Sequence, residues 1–212
     1  DRARPLVLDP AVIVYCGYVG PGRGDAIAVD AAGNAYVSGY TDAAQQRFPV
    51  VVGPDLTYNG GTLDAFVAKV NAAGTALVYC GYIGGNIFDD GYGIAVDGGG
   101  NAYVTGYTSS TETSFPVVGG PDLTYNGGTH DAFVAKINAA GTALVYCSYI
   151  GGSGIDYGLG IAVDGGGNAY VSGHTSSTET SFPVVGGPDL TYNGGDGDAF
   201  VAKINAAGTA PV

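Results

Sequence analysis

The sequence predicts an all-β protein: tandem four-stranded antiparallel sheets in three repeats of 67 residues. The first observation behind this is periodicity. Asp-Ala-Phe-Val-Ala-Lys starts at Asp64, Asp131 and Asp198, and Asn-Ala-Tyr-Val (Asn34, Asn101, Asn168) and Phe-Pro-Val (Phe48, Phe115, Phe182) keep the same spacing. A fixed period of this size marks one supersecondary unit copied in tandem. The second is local pattern: short apolar runs alternate with Gly/Asn/Asp turns, and no stretch shows a sustained 3.6-residue apolar period. The third is composition, with 39 glycines, 46% apolar residues and only 12% charged residues, which fits a turn-rich β protein and not a disordered chain.

The middle repeat justifies the elements in order. Gly91 to Asp97 is a short apolar run, and Asp-Gly-Gly-Gly-Asn before Asn101 to Thr108 is a hairpin signal, because these residues tolerate positive φ. Ser109 to Thr129 reads as a long loop. Asp131 to Asn138 then alternates, with Phe133 and Ala135 on one face and Val134 and Lys136 on the other. After the turn Asn138–Thr142, Ala143 to Gly151 is a strand rich in β-branched and aromatic residues. Small residues lie on both faces (Ala95, Ala102, Gly106, Ala132, Ala135), so both faces need covering. Stacking the sheets side by side as propeller blades achieves that. The expected organisation is a single repeat domain over 1–212, with blade 1 at 24–84, blade 2 at 91–151 and blade 3 at 158–212.

The repeats are out of phase with the chain. Residues 11–20 match the last strand of a repeat, and blade 3 is expected to contribute only three strands of its own, with Pro211 where blade 2 has Leu144. The expectation is that the N-terminal strand completes the last blade in cis or in trans. Three arrangements are open: closure within one chain, a closed dimer of six blades, or an open head-to-tail series forming a filament. Val12, Val14, Cys16 and Tyr18 share one face of that strand, with Ile13 and Tyr15 on the other. Burying on the order of 400 Å² of apolar surface there is worth about 10 kcal/mol before entropy costs.

Ile-Ala-Val-Asp-x-x-Gly-Asn-Ala-Tyr-Val-(Ser/Thr)-Gly, then Phe-Pro, Asp-Ala-Phe-Val-Ala-Lys and Leu-Val-Tyr-x-x-Tyr-Ile-Gly-Gly together resemble the bacterial SBBP-type β-propeller repeat family. The Val-Asp-x-x-Gly-Asn-x-Tyr-Val hairpin also resembles NHL-like blades. The resemblance covers essentially the whole chain and implies a propeller fold in a secreted or cell-surface protein, mostly of non-catalytic kinds. The chain starts at Asp, which reads as a processed or excised chain without its targeting segment.

The formal net charge of −12 disfavours nucleic acid and anionic lipid as partners, and no apolar run is long enough for a membrane-spanning helix. Cys16, Cys80 and Cys147 occupy one repeat position. Small buried strand residues are the simplest account, and an intersubunit disulfide or reactive thiol is the sharper one. Asp89, Asp90 and Asp156 lie in Gly-rich loops where Ca²⁺ is a weak candidate cofactor, with turn capping the alternative. Thr108, Ser109, Ser110, Thr111, Thr175, Ser176, Ser177 and Thr178 are candidate O-glycan positions, and the Leu-Thr-Tyr-Asn-Gly-Gly segments are candidate sugar stackers or loop anchors. His130 and His174 have no equivalents in the other copies and read as surface or packing variation; Lys69, Lys136 and Lys203 read as a repeated salt bridge with an acidic neighbour.

No catalytic triad, carboxylate pair or phosphate loop stands out. The expected function is a non-enzymatic, extracellular or cell-surface structural protein. It would self-assemble through donation of its N-terminal strand (Val12, Ile13, Val14, Tyr15, Cys16, Tyr18), with itself as partner. The alternative is a closed propeller that recognises a glycan or a protein through its loops.

Overall fold

The computed structural model describes residues 13–42 and 47–209. Its strands form three antiparallel sheets. The first holds β1 (Arg23–Val29), β2 (Ala35–Thr41), β3 (Asp64–Val70) and β4 (Leu77–Ile83). The second holds β5 (Asp89–Val96), β6 (Ala102–Thr108), β7 (Asp131–Ile137) and β8 (Leu144–Ile150). The third holds β9 (Asp156–Val163), β10 (Ala169–Thr175) and β11 (Asp198–Ile204). Each sheet is a simple meander, and no helix among the described residues is long and apolar enough to cross a membrane.

The first hairpin of each blade is set by an aspartate. Asp97 Oδ1 accepts the amides of Gly99 and Asn101 at 2.9 Å each, and its Oδ2 accepts the Asn101 side-chain amide and the Tyr103 hydroxyl. Asp30 and Asp164 do the same in blades 1 and 3. Gly100 closes the turn at φ 81°, where a side chain is disfavoured. The inner strands of blades 2 and 3 begin at Asp89 and Asp156, two residues before the sequence-based boundaries at 91 and 158. The Asp89 and Asp156 amides donate to the carbonyls of Leu63 and His130 in the preceding blade and so extend the ladder.

Period-two alternation sends each strand's side chains to two neighbouring layers. Ala65, Val67, Tyr36 and Tyr79 of blade 1 pack against Val104, Phe133, Ala135 and Cys147 of blade 2. Val134, Tyr103 and Tyr146, on blade 2's opposite face, pack against Val171 and Ile204 of blade 3. Blade 1's outward face (Phe48, Phe66, Ala68, Cys80, Tyr82) forms a third cluster, with Val19 from the N-terminal segment packed against it. Stacked sheets, each sealing the face of the next, are the propeller arrangement the sequence predicts.

The long loop is more ordered than its composition suggests. Phe115 is buried beside Phe133 and Tyr149, with ring centroids 5.3 and 5.4 Å away. Beyond it, Val118 exchanges two backbone hydrogen bonds with Cys147 (3.0 and 2.7 Å), so a short bridge flanks the outer edge of β8. Val51 makes the same exchange with Cys80.

Candidate functional site

The repeat makes every difference between blades interpretable, and the largest lies at β11. Its equivalents β3 and β7 each pair on both sides: β3 with β2 and β4, β7 with β6 and β8. β11 pairs with β10 and has no strand on its other edge among the described residues. There, between β11 and the Phe182–Asp189 stretch, a cleft of about 560 Å³ opens, lined by Phe182, Val185, Phe200, Ala202 and Ile204. Val185 is the counterpart of the bridging Val118, and it is exposed.

Residues 13–19 carry the β4-type sequence that this cleft lacks. They form no ladder, and Ile13, Val14 and Tyr18 are exposed. Val12 lies outside the described residues, and so do residues 210–212. The segment nevertheless has a defined place. The Tyr15 ring lies against Gly74, as Tyr79 lies against Gly141 and Tyr146 against Gly208. All three glycines have positive φ, and a Cβ on any of them would collide with the ring. Tyr15 therefore sits against blade 1 as Tyr79 of β4 sits against blade 2. Cys16 is exposed, whereas Cys80 and Cys147 are buried, and burial pushes the Cys80 thiol up to about 12.

The two ends of the stack are uncovered in a matching way. Val201 is 68% exposed, while its counterparts Val67 and Val134 are fully buried. At the other end Ile27 is 67% exposed, against 8% for Ile94. The inner junctions also use polar contacts. The Tyr36 and Tyr103 hydroxyls reach the carbonyls of Gly100 and Gly167 in the next blade at 3.3 and 3.2 Å.

Asp89 and Asp156, the calcium candidates, are buried in separate blades with their oxygens already bound. Asp89 accepts from the Gly85 amide (2.8 Å), the Thr108 hydroxyl and the Ser110 hydroxyl (3.1 Å). Asp156 accepts from the Gly152 amide, Thr175 and Ser177. Asp90 is buried elsewhere on the same strand, with Oδ1 lacking a hydrogen-bond partner. No group of three or more His, Cys, Asp or Glu able to hold a metal occurs among the described residues.

These networks correct the O-glycan expectation for half of its positions. Thr108, Ser110, Thr175 and Ser177 are buried donors to the carboxylates, inaccessible to a glycan. Ser109 and Ser176 are half-buried, and Ser109 Oγ donates to the Thr129 carbonyl. Thr111 and Thr178 lie in the outer loops, where each hydroxyl contacts that of Thr113 or Thr180. In the Leu-Thr-Tyr-Asn-Gly-Gly segments, the Tyr58, Tyr125 and Tyr192 hydroxyls donate to the carbonyls of Gly61, Gly128 and Gly195, as loop anchors do.

Burial raises the carboxyl groups of Asp64, Asp90 and Asp131 to about 7 and that of Asp89 to about 6. The repeated lysine has a different partner from the one expected. Lys69, Lys136 and Lys203 lie over the rings of Tyr36, Tyr103 and Tyr170 at 4.7, 5.0 and 5.1 Å from the centroids. An acidic contact is seen only for Lys69 among the described residues, with Asp30 at 3.6 Å. The side chain crosses the sheet face to its neighbouring strand, where the repeat supplies a tyrosine.

Sequence reasoning missed one grouping. His130 and His174, each unremarkable alone, join Phe88, Tyr92, Tyr107 and Tyr157 in a continuous set of ring contacts across blades 2 and 3. The signal is present in the sequence, because all six positions are places where the repeats disagree.

Residues 79–112 and 145–179 match the SBBP β-propeller repeat model. Each match starts on the last strand of one blade and runs through the second strand of the next into the loop that follows. No curated protein matches the chain.

Proposed function

Starting from a chain that carries SBBP-type β-propeller repeats, we propose that it is a non-enzymatic structural subunit that assembles with copies of itself. The N-terminal strand, Val12 to Val19, enters the cleft beside β11 of a neighbouring copy. The observation that carries this reading is the presence in one chain of a β4-type segment without a ladder and a β3-type edge without a partner strand, both among the described residues.

The register supports it. In blade 2, Phe133, Ala135 and Lys136 face Tyr149, Cys147 and Tyr146. Carried over by the repeat, Phe200 faces Tyr18, Ala202 faces Cys16 and Lys203 faces Tyr15 of the donor. Val185 then bridges to Cys16 as Val118 bridges to Cys147. Because Tyr15 already rests on blade 1 of its own chain, strand entry brings the two exposed end faces together, Val201 toward Ile27. The junction between copies then reproduces the junction between blades. Strand addition of this kind satisfies backbone groups and covers an edge that would otherwise template aggregation.

The expected location is extracellular or at the cell surface, which rests on the family resemblance. The net charge of −12 supports partners other than nucleic acid. A second reading, a closed ring of two chains acting as a binding module for a glycan or protein, is favoured by the likeness of the end faces to the inner junctions. A head-to-tail contact closes or continues according to its rotation alone.

Negative-stain electron microscopy and light scattering of the chain, with and without residues 1–20, test the proposal. The intact chain is expected to form fibres or, in the second reading, discrete rings, and the truncated chain to be monomeric. Assembly of the truncated chain would overturn it.

A further inference from the structure

Blades 2 and 3 are near copies, so their differences can be mapped. Aligned at the 67-residue offset, residues 85–142 and 152–209 differ only at 86–88, 90, 92, 105, 107, 129 and 130 of the first copy. These positions are scattered in sequence and adjacent in space. Asp90 pairs with Tyr107 across the ladder, and Tyr107 pairs with Ala132. The Phe88 carbonyl accepts the Ser109 amide, and the Ser109 hydroxyl donates to Thr129. The Thr105 side chain lies against Gly158, beside Tyr157. Tolerance of exposed positions does not explain the pattern, because loop residues 111–128 and 178–195, many of them exposed, are identical.

The differing positions build a half-buried aromatic surface. Phe88 stacks on Tyr107 (5.6 Å between centroids, 10° between planes), and Tyr107 meets Tyr157 edge-on at 4.7 Å. His130 lies 4.9 Å from Tyr107 and 5.6 Å from Tyr157, with His174 6.2 Å beyond Tyr157. Among these rings are polar atoms with no protein partner: Asp90 Oδ1, on a side chain 2% exposed, and His174 Nδ1. Buried polar groups without partners are uncommon and call for one. Asp25 and Arg23, joined by a 2.9 Å ion pair, lie near Asp90 from blade 1.

We propose that this patch, centred on Tyr107, Tyr157, Asp90 and His174, is a binding site for a neutral polyhydroxylated ligand, an oligosaccharide. Ring faces and edges accept the C–H surfaces of a sugar, while the half-buried imidazoles of His130 and His174 exchange hydrogen bonds with its hydroxyls and the buried Asp90 carboxyl sets the polarity beneath them. The mixture of carboxylates with a guanidinium and two imidazoles suits an uncharged ligand better than an anion or a cation. The site lies within blades 2 and 3 and does not depend on how copies assemble.

Isothermal titration of the whole chain with neutral hexasaccharides of β-glucan, α-mannan, chitin and xylan, and with choline as a cationic probe, tests the inference. Tyrosine fluorescence gives a second readout, since the chain has 16 tyrosines and no tryptophan. At least one hexasaccharide is expected to bind, and Tyr157→Ala to weaken it at least tenfold. A second variant, Tyr157→Asp with His174→Tyr, installs residues that blade 2 already carries at these positions, so it should fold and still lose affinity. Tyr192→Ala, in the identical loop, should leave affinity unchanged. The inference is overturned if no hexasaccharide binds, if choline binds in their place, or if the double variant binds as the parent does.

Discussion

Asp-Ala-Phe-Val-Ala-Lys-Ile occurs twice, as β7 and as β11, and the two strands have different fates. In β7 every residue but Lys136 is buried; in β11 burial is complete only at Ile204. Val134 and Val201 show the difference most sharply, fully buried against 68% exposed. Both strands pair with an identical neighbour pattern on one side. What differs is the strand beyond and the sheet stacked on the far face. Sequence sets which way a side chain points, and its neighbours in the stack decide whether it is buried.

The strongest way to break this comparison is to place a charge on the shared valine. Val134→Asp puts an unpaired carboxylate in a dry layer and is expected to cost about 4 kcal/mol or more, enough to unfold the chain or lower its melting temperature severely. Val201→Asp is expected to leave the melting temperature of unassembled chain nearly unchanged and to weaken assembly. Equal melting losses in the two variants would show that β11 is covered within its own chain.

A smaller effect comes from the aspartates that open these strands. Burial raises the Asp131 carboxyl to about 7, and Asp64 and Asp90 behave alike. A folded-state value above the unfolded one means that protonation favours folding. The contribution is full below about pH 4 and is lost as pH rises through about 7. Each tenfold difference in proton affinity between the folded and unfolded chain is worth about 1.4 kcal/mol, so the loss is on the order of a few kcal/mol. Thermal melts should therefore fall between pH 5 and 8. Asp131→Asn should flatten that slope.

The smallest expected effect tests what the two blades share. Thr108→Val and Thr175→Val each remove a donor from a buried carboxylate and should each cost about 1–3 kcal/mol in chemical denaturation. Closely matched costs would confine the difference between the blades to the edge of β11 and its outer face; a large mismatch would place part of it inside blade 3.

Much of this architecture is legible in the chain. The 67-residue period defines the sheets, and the alternation of Phe133 and Ala135 against Val134 and Lys136 assigns their faces correctly. Local pattern starts the strands two residues late, because Asp89 and Asp156 gain ladder bonds from a preceding blade that it does not reveal. The Val51 and Val118 bridges are hidden in a segment whose Pro and Gly content reads as loop. The hydroxyls of Thr108 and Ser110 look like surface chemistry, since no local rule shows that the long loop folds back onto Asp89. The ring cluster around Tyr157 needs three-dimensional neighbours to turn scattered differences into one surface.

The central claim is that residues 12–19 of one copy fill the edge of β11 in another. In blade 2, Cys147 is the ladder partner of Ala135, and the equivalent pair between copies is Cys16 and Ala202. Directly opposed residues on antiparallel strands have Cα atoms about 4.5–5.5 Å apart, within disulfide reach. Ala202→Cys, oxidised and run on a non-reducing gel, is the most direct measurement. The account predicts disulfide-linked species that vanish with Cys16→Ser: a ladder for an open series, or a dimer alone for a closed pair. Oxidised chain that stays monomeric, with thiols free or joined within one chain, would contradict it.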